Sequence, residues 1–176
     1  MSRPSTLILI LLLGACEAGV DGPSSPSLHA LAERGETQLL LQRISDTRSA
    51  DPRDVCYRTP LMLAAQSGHL ETVSGLLAAG SRVDLHEKGY YTALMLAAGN
   101  GHTSVVRALA EAGGSVDEVE TTRGWTALIW AAKRGHVDTV VLLLDLGADA
   151  TLRDHKGWSA RDWALNQGHR DLAALL

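Results

Sequence analysis

The sequence predicts an all-α solenoid of about five helix–turn–helix units joined by β-hairpin-like fingers. Three observations predict it. Gly35, Gly68, Gly101, Gly135 and Gly168 fall at steps of 33, 33, 34 and 33 residues. Thr59, Thr92, Thr126 and Ser159 keep the matching steps of 33, 34 and 33. The text between these markers repeats as well: TPLMLAAQSGH from Thr59, TALMLAAGNGH from Thr92, TALIWAAKRGH from Thr126 and SARDWALNQGH from Ser159. Composition agrees. The chain has 176 residues, 45% apolar and 20% charged, with a net charge of −4. That suits one globular domain, at roughly 150 residues per domain. Aromatics are only 4% and Phe is absent, so Leu, Ala and Val must fill the core, and small uniform side chains favour close helix packing. Mild acidity argues against a polybasic nucleic-acid binder, which needs clustered Lys and Arg. Two cysteines cannot build a disulfide framework.

The elements follow in chain order. Residues Thr6 to Leu13 are an apolar run preceded by Arg3 and followed by Gly14, Ala15 and Cys16. A membrane span needs about 20 apolar residues, and this run is too short. A basic start, a short apolar middle and small residues at its end describe a secretory signal peptide over residues 1–15. Leu13-Gly14-Ala15-Cys16 resembles the lipobox of bacterial lipoproteins. That resemblance implies a diacylglycerol on the Cys16 sulfur and cleavage just before it; the alternative is a plain signal cut after Ala15 or Ala18. Residues 17–27 are rich in Gly, Pro and Ser and read, with Cys16, as a flexible tether over 16–27.

From Leu28 onward each unit obeys the same local physics. Thr59, Thr92 and Thr126 stand where a hydroxyl can satisfy an unpaired backbone N–H of a helix start. Pro60 takes the first helical position, where its missing N–H costs nothing. Leu61, Ala64 and Ala65 recur on one face, and Gly68 ends the helix. A second helix starts near Leu70, turns Val73, Leu76 and Leu77 inward and stops near Gly80, as its counterparts stop near Gly113 and Gly147. One unit cannot bury its own apolar face; stacking buries it. Gly75 in the second helix costs about 1 kcal/mol of propensity. One extra residue in the segment Glu118 to Arg123 predicts a bulged or longer hairpin there.

The copies at 59–84 and 126–150 resemble ankyrin repeats, and the resemblance extends over 28–176 as units of about 28–58, 59–91, 92–125, 126–158 and 159–176. The first copy is degenerate, and the last carries Arg161, Asp162 and Arg170 as a solvent-facing end. Where the family motif reads Thr-Pro-Leu-His, this chain has Met62, Met95, Ile129 and Asp162 in place of the His, so that hydrogen-bond network is absent or rebuilt.

No catalytic constellation emerges from the sequence. There is no nucleophile elbow, phosphate-binding glycine loop or HExxH pair, and an enzyme is not expected. His69, His102, His136 and His169 follow the repeated Gly. Neighbouring units lie about 8–10 Å apart, too far for adjacent imidazoles to share a metal at about 2 Å. They read as helix-start residues bonding across their own turn. Neither metal nor cofactor is expected. With Cys16 lipidated, Cys56 is expected to be a small half-buried residue and the chain to lack a disulfide.

The ankyrin resemblance implies contacts from the fingers and the exposed side of each first helix. The residues just before the Thr/Ser markers are Arg58, Tyr91, Trp125 and Trp158, residue types enriched in binding hot spots. Gln66, Asn100, Lys133 and Arg134 close the first helices behind them. Trp130 and Trp163, inside the first helices, are expected to be packing residues. The function expected is non-catalytic binding of another protein by a monomer, without nucleic acid. The site of action is a bacterial cell envelope, periplasm-facing and touching the membrane only through its lipid. A scaffold or an inhibitor of the immunity type leads; an accessory to an envelope enzyme, such as one of oxidative-stress defence, is the alternative.

Overall fold

The computed structural model describes residues 26–47 and 49–176. The expected signal peptide, Cys16 and most of the expected tether lie outside the described residues. The described chain is a row of helix pairs: α1 (Leu28–Arg34) and α2 (Thr37–Thr47), α3 (Pro60–Ser67) and α4 (Leu70–Ala78), α5 (Ala93–Gly99) and α6 (Thr103–Glu111), α7 (Ala127–Arg134) and α8 (Val137–Asp145), α9 (Ala160–Asn166) and α10 (Arg170–Ala173). First helices pack on first helices (α1 on α3, α3 on α5, α5 on α7, α7 on α9), and second helices form a parallel layer from α2 to α8. This is the solenoid that the repeated spacing predicts.

The expected caps form. The Thr59, Thr92, Thr126 and Ser159 hydroxyls accept from the N–H of Met62, Met95, Ile129 and Asp162 at 3.2–3.3 Å. The missing motif His is replaced differently at the first and last of these. The Thr59 N–H donates to Met62 Sδ at 3.4 Å, and the Ser159 N–H donates to the Asp162 carboxylate at 2.9 Å. Met62, Met95 and Ile129 are otherwise core, each about 1% exposed. The core is a continuous ribbon of Leu, Ala, Val and Met from Leu31 to Ala173. Gly75 has a packing reason, because a Cβ there would lie 2.8 Å from Leu41 Cδ1. The leucine of α2 fills the space that a side chain in α4 would take.

The repeated histidines do something other than bridge their own turn, and that expectation is corrected. His69, His102, His136 and His169 are N-cap residues whose side chains make no cap bond. Three rings instead reach back to the preceding unit, pairing Nε2 with the carbonyls of Glu33, Gln66 and Gly99 at 2.9–3.1 Å. All four rings lie against the preceding unit's turn glycine: a Cβ on Gly35, Gly68, Gly101 or Gly135 would come within 2.5–2.8 Å of the imidazole. Glycine at that turn therefore serves two ends, a left-handed backbone (φ +70 to +78°) and a seat for the next histidine. Hydroxyl pairs Thr37–Thr72 (2.7 Å) and Thr103–Thr139 (2.8 Å) join second helices in the same manner.

The fingers are tight turns with one isolated antiparallel bridge among the described residues, His86 to Thr92. Side-chain carboxylates organise them. Asp54 accepts from the N–H of Cys56 and Arg58, Glu87 from Gly89, Glu120 from Thr122 and Arg123, and Asp154 from Lys156 and Trp158, at 2.6–2.9 Å. The turns close by backbone bonds Asp54–Arg58, Glu87–Tyr91, Glu120–Trp125 and Asp154–Trp158. The extra residue thus lengthens the third finger by one position, between Glu120 and Trp125. Successive fingers are joined by Lys88 N–H to Cys56 O (3.1 Å) and His155 N–H to Arg123 O (2.8 Å).

Cys56 is buried at 7% exposure and is disulfide-bonded. This corrects the expectation of a chain without a disulfide. The bond lies where the backbone turns from the first unit into the second.

Candidate partner-binding site

The row of residues before the Thr/Ser markers does not form one exposed ridge. The Arg58 guanidinium is half-buried and tied to the Asp54 carboxylate at 2.7–2.8 Å. The Tyr91 hydroxyl accepts from Arg123 at 3.1 Å, and burial raises its phenol above the usual range, aided by the Glu120 charge. Trp125 is only 8% exposed, so its place on an outer rim is corrected. Its indole N–H is captured by the Asp154 carboxylate at 3.1 Å, which turns the ring inward between two units. Trp158 is half-buried. At the helix ends, Gln66 and Arg134 are exposed, while Asn100 and Lys133 are half-exposed.

What these residues build is a ladder of five rings. Tyr91 meets Trp130 edge-on at 5.4 Å, Trp130 meets Trp125 at 5.3 Å, Trp125 meets Trp163 at 5.4 Å, and Trp163 meets Trp158 at 4.8 Å. Such pairs contribute about 0.5–1.5 kcal/mol each beyond area burial. The four tryptophans of the sequence are all in it. Gly99 makes room for the ladder, since a Cβ there would stand 2.4 Å from Trp130 Cε3. The Trp130 indole N–H is buried and makes no hydrogen bond among the described residues.

Asp154 anchors the ladder. Its Oδ2 accepts from the indoles of Trp125 (3.1 Å) and Trp163 (2.9 Å), and its Oδ1 from the backbone of Lys156 and Trp158. Burial pushes this carboxyl up; the four hydrogen bonds outweigh it and hold it below the ordinary carboxylate range. Asp138, Asp145 and Asp149 of the same unit are exposed, whereas Asp154 is 6% exposed.

Between the last two fingers and the ends of α7 and α9 lies a cleft of about 640 Å³. Trp125, Trp130 and Trp163 floor it, and the two helix tryptophans pack on the core between units as expected. Arg123, Lys133, Arg134 and Lys156 stand over the rings.

A second feature lies at the tips of the first two fingers. Tyr57 (φ +63°) and Tyr90 (φ +65°) hold left-handed backbone where the later fingers place Gly124 and Gly157. An L side chain in that region costs about 1–2 kcal/mol. Both tyrosines are exposed, at 51% and 45%. Tyr90 stacks on His86 at 4.4 Å, and Arg53 and Lys88 approach the Tyr57 ring at 5.6 and 5.5 Å. Sequence reasoning misses this pair, although aligning the fingers shows Tyr, Tyr, Gly and Gly at one position.

Among the described residues no group of three or more His, Cys, Asp or Glu could hold a metal ion. No described helix is long and apolar enough to cross a membrane. Stacked helix pairs joined by short fingers define a repeat solenoid.

The comparisons agree with that class. A family model described as ankyrin repeats (3 copies) matches residues 28–119, 76–154 and 94–176, and the chain belongs to the ankyrin-repeat family. It is also similar to the ankyrin repeat protein nuc-2 of Neurospora crassa, 28% identical over 132 residues, which cover 75% of this chain and 12% of that protein. Ankyrin repeats are protein-interaction modules, generally without catalytic activity, and this chain carries that architecture from Leu28 to Leu176.

Proposed function

We propose that the protein is a non-catalytic binder of another protein, working as a scaffold or inhibitor in a bacterial cell envelope. One observation carries the binding reading: Tyr57 and Tyr90 keep a strained backbone yet leave their rings in solvent. Backbone strain kept at positions whose rings stay about half exposed is a mark of functional sites, and Tyr is a favoured hot-spot residue. The rest of the array is already ordered, so little conformational entropy opposes docking.

The envelope reading rests on the signal-like segment and on Leu13-Gly14-Ala15-Cys16. A disulfide at Cys56 supports it, because such bonds persist in oxidising compartments. Cys16 is the other cysteine of the sequence, and one sulfur cannot hold both a lipid and a disulfide. The lipid-anchored form therefore requires Cys56 to be reduced or joined to another thiol.

Two experiments test these points. Affinity capture from envelope extracts with the wild-type protein and with a Tyr57→Gly/Tyr90→Gly variant tests the docking face. Loss of the captured protein with retained helical circular dichroism supports it; equal capture removes it. Radiolabelled fatty acid should mark the native protein and not a Cys16→Ser form. A Cys16–Cys56 disulfide peptide without label would retire the anchor and leave an exported, unanchored protein.

A further inference from the structure

The chain carries a net charge of −4, yet cations converge on the cleft between the last two fingers. Arg123, Lys133, Arg134 and Lys156 line it, and the one acid among its lining residues is Asp154. That acid is committed to two indoles and two backbone N–H groups at 2.9–3.1 Å. None of the four cations makes an ion pair among the described residues. They rest on aromatic faces instead. Lys133 Nζ lies 5.2 Å from the centroids of both Trp125 and Trp163, Arg123 lies 4.7 Å from Trp125, Arg134 5.1 Å from Trp130 and Lys156 5.6 Å from Trp163.

An indole face attracts a cation but does not neutralise it. Lys133 is half-buried and the other three are exposed, so the cluster is open to an incoming anion and has none of its own among the described residues. Both guanidinium groups are also pre-aimed: Arg134 donates to the Gly99 carbonyl and to Asn100 Oδ1 at 2.9 Å each, and Arg123 donates to the Tyr91 hydroxyl at 3.1 Å. Planar, fixed guanidinium groups suit carboxylates, which they can bind through paired hydrogen bonds. The rings below are engaged edge-to-face with one another and offer no row of open faces on which bases could stack.

We infer that this cleft receives the carboxylate side chains of an acidic segment of the protein partner. The inference rests on the protein-binding reading above and names the chemistry of what is bound. A segment rich in Asp or Glu would set its carboxylates among the four cations, while the finger-tip tyrosines grip a separate part of the partner.

The test is fluorescence anisotropy of dye-labelled hexaglutamate against the whole protein, with hexalysine as control. Hexaglutamate is expected to bind and hexalysine not to. Raising the salt should weaken the binding. Lys133→Glu, which keeps much of the side chain's reach while reversing its charge, should lower affinity at least about tenfold. Arg123→Gln should weaken it too, and Arg107→Gln on α6 should leave it unchanged. Circular dichroism identical to wild type shows that the variants fold. Three results would overturn the inference: no hexaglutamate binding, equal binding by the Lys133→Glu protein, or inorganic phosphate competing as well as the peptide at equal charge. Tighter binding of a single-stranded oligonucleotide would overturn it as well. Partner capture lost in the finger-tip tyrosine variant with no hexaglutamate binding would sink this inference alone. The reverse pattern would sink the finger-tip docking face and spare the cleft.

Discussion

The first two fingers and the last two fill the same left-handed tip position with opposite residues. Tyr57 and Tyr90 sit at φ +63° and +65°, while Gly124 and Gly157 sit at φ +76° and +78°. In the first pair an aromatic ring stays in solvent on a strained backbone. In the second pair glycine removes the strain, and the aromatic mass of the region goes inward as the tryptophan ladder. One backbone frame thus supports a presented ring at one end of the array and a buried one at the other. The difference teaches that the frame is set by the finger carboxylates, which recur in all four fingers, and not by the residue at the tip.

Removing a carboxylate should give the largest effect and an unequal one. Asp154 serves four donors, two of them indoles; a buried donor left unpaired costs about 1–3 kcal/mol. Asp154→Ala should therefore lower stability in urea by about 3 kcal/mol or more and weaken the Trp signals in near-ultraviolet circular dichroism. Glu87→Ala, at a half-buried finger without an indole partner, should cost less than half as much. Equal losses would mean that the ladder adds nothing to the last fingers.

Gly99→Ala comes next. Helix propensity alone would favour alanine by about 1 kcal/mol. The new Cβ would lie 2.4 Å from the Trp130 ring, and overpacking costs about 1–3 kcal/mol. The sign expected is net destabilisation, and a Trp130→Leu background should reverse it. A stabilised single variant would show that Trp130 moves freely.

The tips give a smaller and cleaner contrast. Nothing stands within 4 Å of a Cβ at Gly157, so Gly157→Ala isolates backbone strain and should cost about 1 kcal/mol. Tyr57→Gly relieves the same strain and gives up chain entropy of about 0.5–1 kcal/mol; it should leave the unfolding midpoint close to wild type. A large loss at Tyr57 would make that ring structural.

Acid titration is the gentlest probe. Hydrogen bonds outweigh burial at both Asp54 and Asp154 and set their folded pKa values below 3.8. Such groups add stability that is present above the unfolded pKa and is lost as pH falls through the folded one. The thermal midpoint should drop below about pH 4, and Asp154→Asn should flatten part of that fall. An unchanged slope in the variant would remove Asp154 from the linkage.

Much of this is legible in the sequence because the physics is local. A hydroxyl at a helix start, glycine at a turn and apolar residues at helical spacing each act within a few residues, and repetition multiplies the signal. The inward turn of Trp125 is not legible in that way, because its direction is decided 29 residues away, by Asp154. The histidines escape local reading for the same reason: their partners are carbonyls 36–37 positions back. The finger carboxylates at 54, 87, 120 and 154 step by 33, 33 and 34, in plain register with the other markers. Alternation between Asp and Glu hides them. The cleft needs both ends of the problem, since its cations come from two fingers and from α7.

The missing side chain at Gly99 has a consequence for how such a chain can evolve. Its counterparts in the other units are Glu33, Gln66, Lys133 and Asn166, and the ring of Trp130 in the following unit lies over that point. Transplanting the second copy into the place of the third would slide a glutamine beneath that indole. The modules look alike on paper but are keyed to their neighbours, so duplication or shuffling within this array would carry a fitting penalty at that seam.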